Sequence, residues 1–193
     1  LPIYSFNAST FASRVITSTR SDIYSAIVGG IGALKGPLHG GANEAVMEMM
    51  KEIRTPARAD KWIRDAMASK KLVMGFGHRV YKLGDSRVPT MKSCLEDLTH
   101  WSGEEKWLGI YNILQDIFVN EKGIHPNLDF PSGPAYYLMG FPINLYTPIF
   151  VMSRITGWSA HYLEQNKNNA LIRPLSEYSG KAQRKVPKLS KRK

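Results

Sequence analysis

The chain has 193 residues, of which 43% are apolar and 22% charged, and this suffices for a single domain or a domain with a lobe. Its net charge of +10 is concentrated in residues 181–193, where no aromatic side chain is interleaved for base stacking, so we expect a solvated, disordered tail and no nucleic-acid partner. No apolar stretch reaches the roughly 20 residues of a membrane span, which predicts no membrane association. The single cysteine, Cys94, excludes an internal disulfide, suits a reducing compartment and is expected in the core.

Helical periodicity dominates and no convincing alternating strand is present, so the predicted fold class is all-α. Asn7 and Ser9 are candidate N-caps of the first helical region. The apolar residues of that region have the spacing of a buried face, namely Phe11, Val15, Ile16, Ile23, Ile27 and Ile31. Further helices are predicted at about 43–53, 57–68, 89–99 and 104–120. Pro134 is expected to open a helix through Leu138, and the longest helix is expected to run from about 145 towards 168.

Three interruptions between these helices carry titratable side chains beside glycine or proline. They are residues 36–43 with His39, residues 75–79 with His78, and residues 125–129 with Asp129. Such junctions expose backbone amides and are held in place by rigid helices, so functional groups concentrate there. The segment 70–80 suits either a loop or a short strand.

Each of the three residues has a functional interpretation and a structural one. His39 could donate a hydrogen bond to a carbonyl oxygen that gains negative charge, or be satisfied by the backbone at a helix end. The Gly75-Phe76-Gly77 loop before His78 could wrap a flat group such as adenine, but it matches neither a phosphate-binding nor a dinucleotide-binding motif. Asp129 lies in an apolar setting that would raise its pKa and suit a base, or it could simply be a helix N-cap.

Taken together, the segments GPLHGGANE (36–44), GFGHRVYK (75–82) and PNLDF (126–130) resemble the citrate synthase family in order and spacing. The similarity covers about residues 6–180. Details in 84–89 and 129–137 are most similar to the 2-methylcitrate synthases of bacterial propionate metabolism. The resemblance implies a multihelical citrate synthase-like fold that lacks its N-terminal part.

The resemblance also implies catalytic roles. Asp129 would remove a proton from the carbon next to an acyl-CoA thioester, and His39 would hydrogen-bond the thioester oxygen. His78 would polarise the ketone of oxaloacetate while the new bond forms. A CoA thioester would then be a substrate, with no permanently bound cofactor and no metal.

Substrate-binding residues follow from the same resemblance. Arg87, Arg154 and Arg173 match carboxylate-binding arginines, with Arg173 contributed across a dimer interface; Arg154 could alternatively pair with a buried acid. Tyr4 stands where the family has an oxaloacetate-binding histidine, and tyrosine cannot carry its positive charge.

The expected CoA-binding residues lie in one loop and at one helix end. They are Leu72, Val73, Met74, Gly75, Phe76, Gly77 and Lys122, with Arg79 and Lys82 as further phosphate partners.

The predicted function is the condensation of propionyl-CoA, and also acetyl-CoA, with oxaloacetate in a homodimer with a shared active site, in a bacterial-type cytoplasm. Alternatives are a citrate synthase that uses mainly acetyl-CoA, an inactive remnant that dimerises or binds CoA, and a basic nucleic-acid binder. The prediction leaves open whether a targeting segment lies upstream, because the chain begins Leu1-Pro2. The expected division is a large domain over 1–55, a small catalytic domain over 56–160, a return to the large domain over 161–180, and the tail.

Overall fold

The computed structural model describes residues 6–183 and 185–191, and over these residues the all-α prediction is confirmed. The α-helices are Ala8–Ser18 (α1), Ile23–Leu34 (α2), Ala42–Ile53 (α3), Pro56–Ala68 (α4), Val88–Ser102 (α5), Lys106–Lys122 (α6), Asp129–Leu138 (α7) and Tyr146–Lys167 (α8). Short 3₁₀ helices span Ile143–Leu145 and Leu189–Lys191. The uncertain segment 70–80 is loop and turn, with a single antiparallel bridge between Phe76 and Pro126.

One hydrophobic core is built around α3, which packs against α4, α6 and α7. Its fully buried residues include Met47, Met50 and Ile63, while Phe130 of α7 stacks on Tyr111 of α6 at 4.5 Å between ring centroids. Burial of each such large side chain stabilises the fold by about 1.5–3 kcal/mol. This core fixes where α7, and therefore Asp129, begins.

Helices α1, α2 and α8 form a second packing unit. Asn7 caps α1 by accepting a hydrogen bond from Thr10 N, as predicted. The predicted buried apolar face is only partly correct: Ile31 is exposed, and the other five predicted residues are partly buried. The fully buried positions of α1 are small and polar, such as Ser13 and Thr17. Small side chains let helices approach closely, and Gly30 of α2 accordingly lies against the ring of Trp158 on α8.

Helix α7 begins at Asp129, five residues before the predicted start at Pro134. A proline inside a helix lacks the N–H that would bond the carbonyl four residues earlier, which is why Pro134 was expected at a helix start. Side chains form additional hydrogen bonds with the backbone of the first turn. Asn127 Oδ1 accepts from Asp129 N at 3.0 Å, and Ser132 Oγ donates to Leu128 O at 2.7 Å. These hydrogen bonds stabilise the first turn, so the helix begins at Asp129 and Pro134 lies inside it.

Two further expectations concern the surface. Cys94 is exposed on α5, so its placement in the core is wrong; it lies one residue before the buried Leu95 and points away from the core. Tail residues 181–183 and 185–190 are exposed. In the described part of the chain, no helix is long and apolar enough to cross a membrane. The domain boundaries at 55 and 160 stay predictions.

Candidate active site

Two of the three predicted junctions lie side by side. Gly77 N donates to His125 O at 2.8 Å, and Asn127 N donates to Gly75 O at 2.9 Å. The Asn127 side chain adds a hydrogen bond from Nδ2 to Gly77 O at 2.8 Å. The loop that ends in His78 is therefore tied directly to the loop that leads into Asp129.

Gly75 makes this pairing possible. Its φ is +83°, and a Cβ there would stand 2.7 Å from Phe130 Cβ and 2.8 Å from Val46 Cγ2. The backbone of the loop thus packs against α7 and α3 more closely than any side chain would allow.

We expect Gly75→Ala to destabilise the fold by about 2–4 kcal/mol, because it combines a strained backbone with an overpacked core. Gly77→Ala is the matched control, since Gly77 has a similar φ of +77° but its nearest neighbour is 3.6 Å away. The control is expected to cost only about 1 kcal/mol. Urea unfolding of both variants measures the difference, and equal losses would contradict the close packing of this loop on α7.

Asp129 is the first residue of α7 and is partly buried. The N-cap interpretation is wrong, because Leu128 occupies that position and the Asp129 carboxyl makes no capping hydrogen bond. Burial raises the pKa of Asp129 to about 6, although the nearby positive charges of Arg87 and Arg154 oppose this shift. A carboxylate with such a pKa is a stronger base than an exposed one and remains ionised above pH 6.

His39 lies in the turn before α3 and faces the start of α1. Its Nε2 is 3.0 Å from Ser9 Oγ and accepts from Ser9 N at 3.3 Å. Arg154 Nη1 approaches the same nitrogen at 3.3 Å. Burial first, and the Arg154 charge second, lower the pKa of His39 to about 4.

These partners define the protonation state of His39. Backbone N–H and guanidinium groups can only donate, so Nε2 must be the acceptor and the proton lies on Nδ1. Nδ1 makes no hydrogen bond within the described residues, which leaves a neutral imidazole with one free donor. The alternative of a histidine satisfied by backbone alone is wrong, because two of its three partners are side chains.

Arg154 of α8 joins this cluster to the N-terminus of α1. Its Nη1 donates to Asn7 Oδ1 at 3.0 Å and to Ser9 Oγ at 3.1 Å. No carboxylate lies within ion-pair distance of Arg154 among the described residues, so the alternative of a pair with a buried acid is wrong. Burial and the Arg87 charge lower the pKa of Arg154, while the Asp129 charge opposes this shift.

His78 is held by its own loop. Its Nδ1 accepts from Val80 N at 3.1 Å and from Tyr81 N at 3.2 Å, so the proton of the neutral ring lies on Nε2. Burial lowers the pKa of His78, while the Asp85 charge opposes the shift. His78 is therefore a second neutral donor, presented by a different loop from His39.

Arg87 is oriented by Asp85, whose side chain is fully buried. Arg87 Nε and Nη2 donate to the two carboxylate oxygens at 2.9 and 2.6 Å, and Arg87 N donates to Oδ1 at 3.0 Å. These hydrogen bonds lower the pKa of Asp85 and raise that of Arg87. The Arg87 side chain as a whole is 47% exposed.

Electrostatic interactions connect the three junctions. Arg87 and Arg154 both lower the pKa of Asp129, Arg154 lowers that of His39, and Arg87 lowers that of His78. Because each arginine acts on Asp129 and on one of the two histidines, Arg87 and Arg154 link the three groups electrostatically. This group of residues comprises one carboxyl group with a raised pKa, two neutral imidazole donors and two arginines.

The remaining predicted residues are placed less centrally. Lys122 ends α6, directly before the loop at 123–128 that leads into α7. Leu72 is exposed, whereas Val73 is buried. Arg173 is exposed in an extended segment that is attached to α1 through Ile172 N and Ser18 Oγ. Tyr4 lies outside the described residues.

Several residues that build the site were not predicted as site residues, although Asn7 and Ser9 were singled out as helix caps. Ser9 contacts both His39 and Arg154, and Asn7 accepts from Arg154. Asn127 joins the two loops, and Asp85 orients Arg87. Asp85 is the one with a local signal, because the Asp85-Ser86-Arg87 spacing lets an aspartate side chain accept from the backbone N–H two residues on. The others depend on contacts between distant segments.

Comparison with known proteins gives a consistent result. Residues 4–175 match the model of the family described as citrate synthase, C-terminal domain. The chain is 58% identical over 189 residues to 2-methylcitrate synthase 2 of Corynebacterium glutamicum, covering 98% of this chain and 49% of that protein. It is 62% identical over 183 residues to a citrate synthase of Mycolicibacterium smegmatis, covering 95% and 49%.

A solved structure is similar in fold as well. The ternary complex of citrate synthase from Thermoplasma acidophilum with carboxymethyl coenzyme A and oxaloacetate has a TM-score of 0.90 and 44% identity, covering 97% of this chain and 51% of that one. The chain spans about half the length of the relatives it matches.

Proposed function

The chain belongs to the citrate synthase family, and from that premise we propose that it carries the condensing centre of an enzyme joining a short acyl-CoA to oxaloacetate. The observation that carries the proposal is the Asp129 carboxyl, whose pKa is raised to about 6 in a region that also holds two neutral imidazoles and two arginines. Each group has a separate role in the chemistry.

Asp129 takes the proton from the carbon next to the thioester. A thioester proton is less acidic than a carboxylic acid by on the order of ten pKa units, at about 1.36 kcal/mol each. The raised pKa of Asp129 narrows this gap by only about two units, so hydrogen bonding to the developing oxyanion and the positioning of both partners must supply most of the rest.

His39 supplies that hydrogen bond. With Nε2 engaged by Ser9 and Arg154, its Nδ1–H donates to the thioester oxygen as negative charge develops there. A neutral donor suits this step because it stabilises the enol or enolate without first giving up its proton.

The enol carbon then attacks the ketone of oxaloacetate. His78 Nε2–H donates to the ketone oxygen and protonates it as the carbon–carbon bond forms, while Arg87 and Arg154 pair with the carboxylates. Water subsequently adds to the thioester carbonyl, the carbon–sulfur bond breaks, and CoA leaves as the thiol.

The remaining assignments follow from family membership. The loop 72–77 holds the adenine of CoA, with Lys122, Arg79 and Lys82 near its phosphates. Arg173, which has an exposed side chain in this chain, completes the oxaloacetate site of a second copy in a homodimer. Because the reported bacterial relatives are metabolic enzymes, we propose the cytoplasm as the compartment.

We propose propionyl-CoA as the preferred acyl donor and 2-methylcitrate as the product. The similarity to a 2-methylcitrate synthase supports this choice, whereas the similarity to a protein named citrate synthase favours acetyl-CoA. The two donors differ by one methylene, which changes binding by about 1–3 kcal/mol, so both are expected to react.

A thiol-release assay tests the function. The purified chain is mixed with oxaloacetate and either propionyl-CoA or acetyl-CoA, and reactions without oxaloacetate serve as the background. Oxaloacetate-dependent CoA release with a higher kcat/KM for propionyl-CoA is expected. Absence of release with either donor would contradict the proposal, and thermal stabilisation by CoA without release would identify a remnant that only binds.

The protonation state of His39 gives a further prediction. With its pKa lowered to about 4, the ring stays neutral with the proton on Nδ1 from pH 5 to pH 8, and nitrogen-15 NMR of the imidazole measures this directly. Because the folded pKa lies below the unfolded value of 6.5, His39 disfavours the folded state progressively as pH falls from about 6.5 to 4. The signal is assigned by its loss in His39→Asn, and a midpoint near pH 6.5 would contradict the proposed role.

A further inference from the structure

Tyr81 contacts two groups of the proposed site and has no part in the chemistry described above. Its ring centroid lies 4.5 Å from that of His78, with the two planes tilted by 32°. The Cζ atom of Arg87 lies 5.5 Å from the same Tyr81 centroid. Tyr81 is 41% exposed, so these contacts do not result from burial in the core.

We propose that Tyr81 is a positioning residue that holds His78 and Arg87 at the spacing of one keto acid. This inference rests on the proposed function, in which His78 binds the ketone oxygen of oxaloacetate and Arg87 binds a carboxylate of the same molecule. The ring of Tyr81 is the contact that joins the two.

Each partner has its own anchor, and the anchors lie at opposite ends of the loop 78–87. His78 Nδ1 is fixed by the N–H groups of Val80 and Tyr81, and the Arg87 guanidinium is fixed by Asp85. These hydrogen bonds orient each group locally. They do not set the distance between the two groups.

The backbone between the anchors constrains that distance poorly. It passes through Gly84, which has a φ of +119° and no atom within 4 Å of where a Cβ would be. The three residues from Tyr81 to Leu83 are exposed. A side-chain contact that joins His78 to Arg87 therefore supplies a restraint that the chain itself lacks.

The aromatic ring, not the hydroxyl, is the part of Tyr81 that acts. Aromatic pairs and cations near a ring attract one another through the ring's π-system, which phenylalanine shares. Phenylalanine at position 81 should therefore preserve the contacts with His78 and Arg87, whereas leucine, which is apolar but has no aromatic ring, should not.

The test compares Tyr81→Phe with Tyr81→Leu in the full chain, by CoA-release kinetics and by NMR of the His78 ring protons without ligand. For Tyr81→Leu we expect the oxaloacetate KM to rise about 10-fold, the acyl-CoA KM to stay within about twofold, and the His78 signals to move as the ring current is lost. Tyr81→Phe should match the unsubstituted chain in all three. Trp101→Leu, at an aromatic residue that is 79% exposed on α5, is the control and should change nothing.

Two results would overturn the proposal. One is a Tyr81→Leu chain whose oxaloacetate KM and His78 signals are unchanged, and the other is Tyr81→Phe impaired as strongly as Tyr81→Leu. Failure of the proposed function is recognised separately, as an unsubstituted chain that neither releases CoA nor binds oxaloacetate by calorimetry. In that case the His78 signals of the Tyr81→Leu chain still support or overturn the positioning, and thermal midpoints verify that each variant is folded.

Discussion

Asp129→Asn is expected to reduce CoA release by about 1,000-fold, because asparagine keeps the shape of the side chain and cannot accept the substrate proton. The loss should appear in kcat, with the KM of both substrates changed by less than about threefold, since Asp129 acts on a bond that is broken only in the transition state. Steady-state assays with each substrate varied in turn measure both parameters.

The same substitution should stabilise the fold at neutral pH. The folded pKa of Asp129, about 6, lies above the ordinary value of 3.8, so the folded state binds the proton more tightly than the unfolded chain does. The unsubstituted chain therefore loses stability relative to Asp129→Asn as pH rises from about 4 to 6, and the difference is constant above that. We expect about 1–3 kcal/mol at pH 7.5, from urea unfolding at several pH values.

Asp60→Asn is the matched control for this experiment. Asp60 lies on α4, is exposed and pairs with Arg64 at 3.0 Å, so its loss should change neither turnover nor the pH dependence of stability. An Asp129→Asn chain that is fully active, or that is less stable than the unsubstituted chain at pH 7.5, would contradict the proposed base.

Arg154→Gln is expected to raise the oxaloacetate KM by about 30–100-fold, because a charge-assisted hydrogen bond to a carboxylate contributes about 2–3 kcal/mol. The acyl-CoA KM should change little. Removing the Arg154 charge should also raise the pKa of His39, since that charge is the second cause of its low value. Kinetics with oxaloacetate varied and nitrogen-15 NMR of His39 check the two effects.

The Arg154→Lys variant distinguishes the effect of the positive charge on the oxaloacetate KM from the effect of the guanidinium shape. Lysine keeps the positive charge but lacks the planar guanidinium that can bind a carboxylate through two parallel hydrogen bonds, so we expect most of the rise in KM to remain. Arg64→Gln, at a surface arginine paired with Asp60 and Glu121, controls for the loss of an arginine as such. An oxaloacetate KM unchanged in both Arg154 variants would exclude this residue from the substrate site.

Contacts of Arg154 and Arg14 join helix α1 to helix α8. Asn7 binds Arg154, and seven residues further along each helix Arg14 Nη1 is 2.9 Å from His161 Nδ1. The equal offset means that the two helices run parallel and are joined two turns apart. No periodicity in the sequence reveals this, because the two helices are separated by more than 120 residues.

The amino-acid sequence alone predicted most of the helices, identified the family and singled out His39, His78 and Asp129 as candidate site residues. Helix α6 and helix α8 were predicted within about two residues at their starts because long periodic segments are strong signals, and the motifs around His39, His78 and Asp129 identified the family. Local patterns failed where support comes from outside the segment. The side chains of Asn127 and Ser132 stabilise the start of α7 before Pro134, and the fully buried positions of α1 are small and polar instead of apolar.

Only the tertiary structure decided how the site is assembled. Hydrogen bonds between distant segments determine that His39 Nε2 faces Ser9 and Arg154, and the tautomer of His39 follows from those partners. The pKa of Asp129 likewise depends on tertiary structure: burial raises it, and two arginines that the sequence places 42 and 25 residues away partly oppose that shift. The sequence gives the identity of each side chain. The protonation state and orientation of that side chain depend on neighbours that only folding brings close to it.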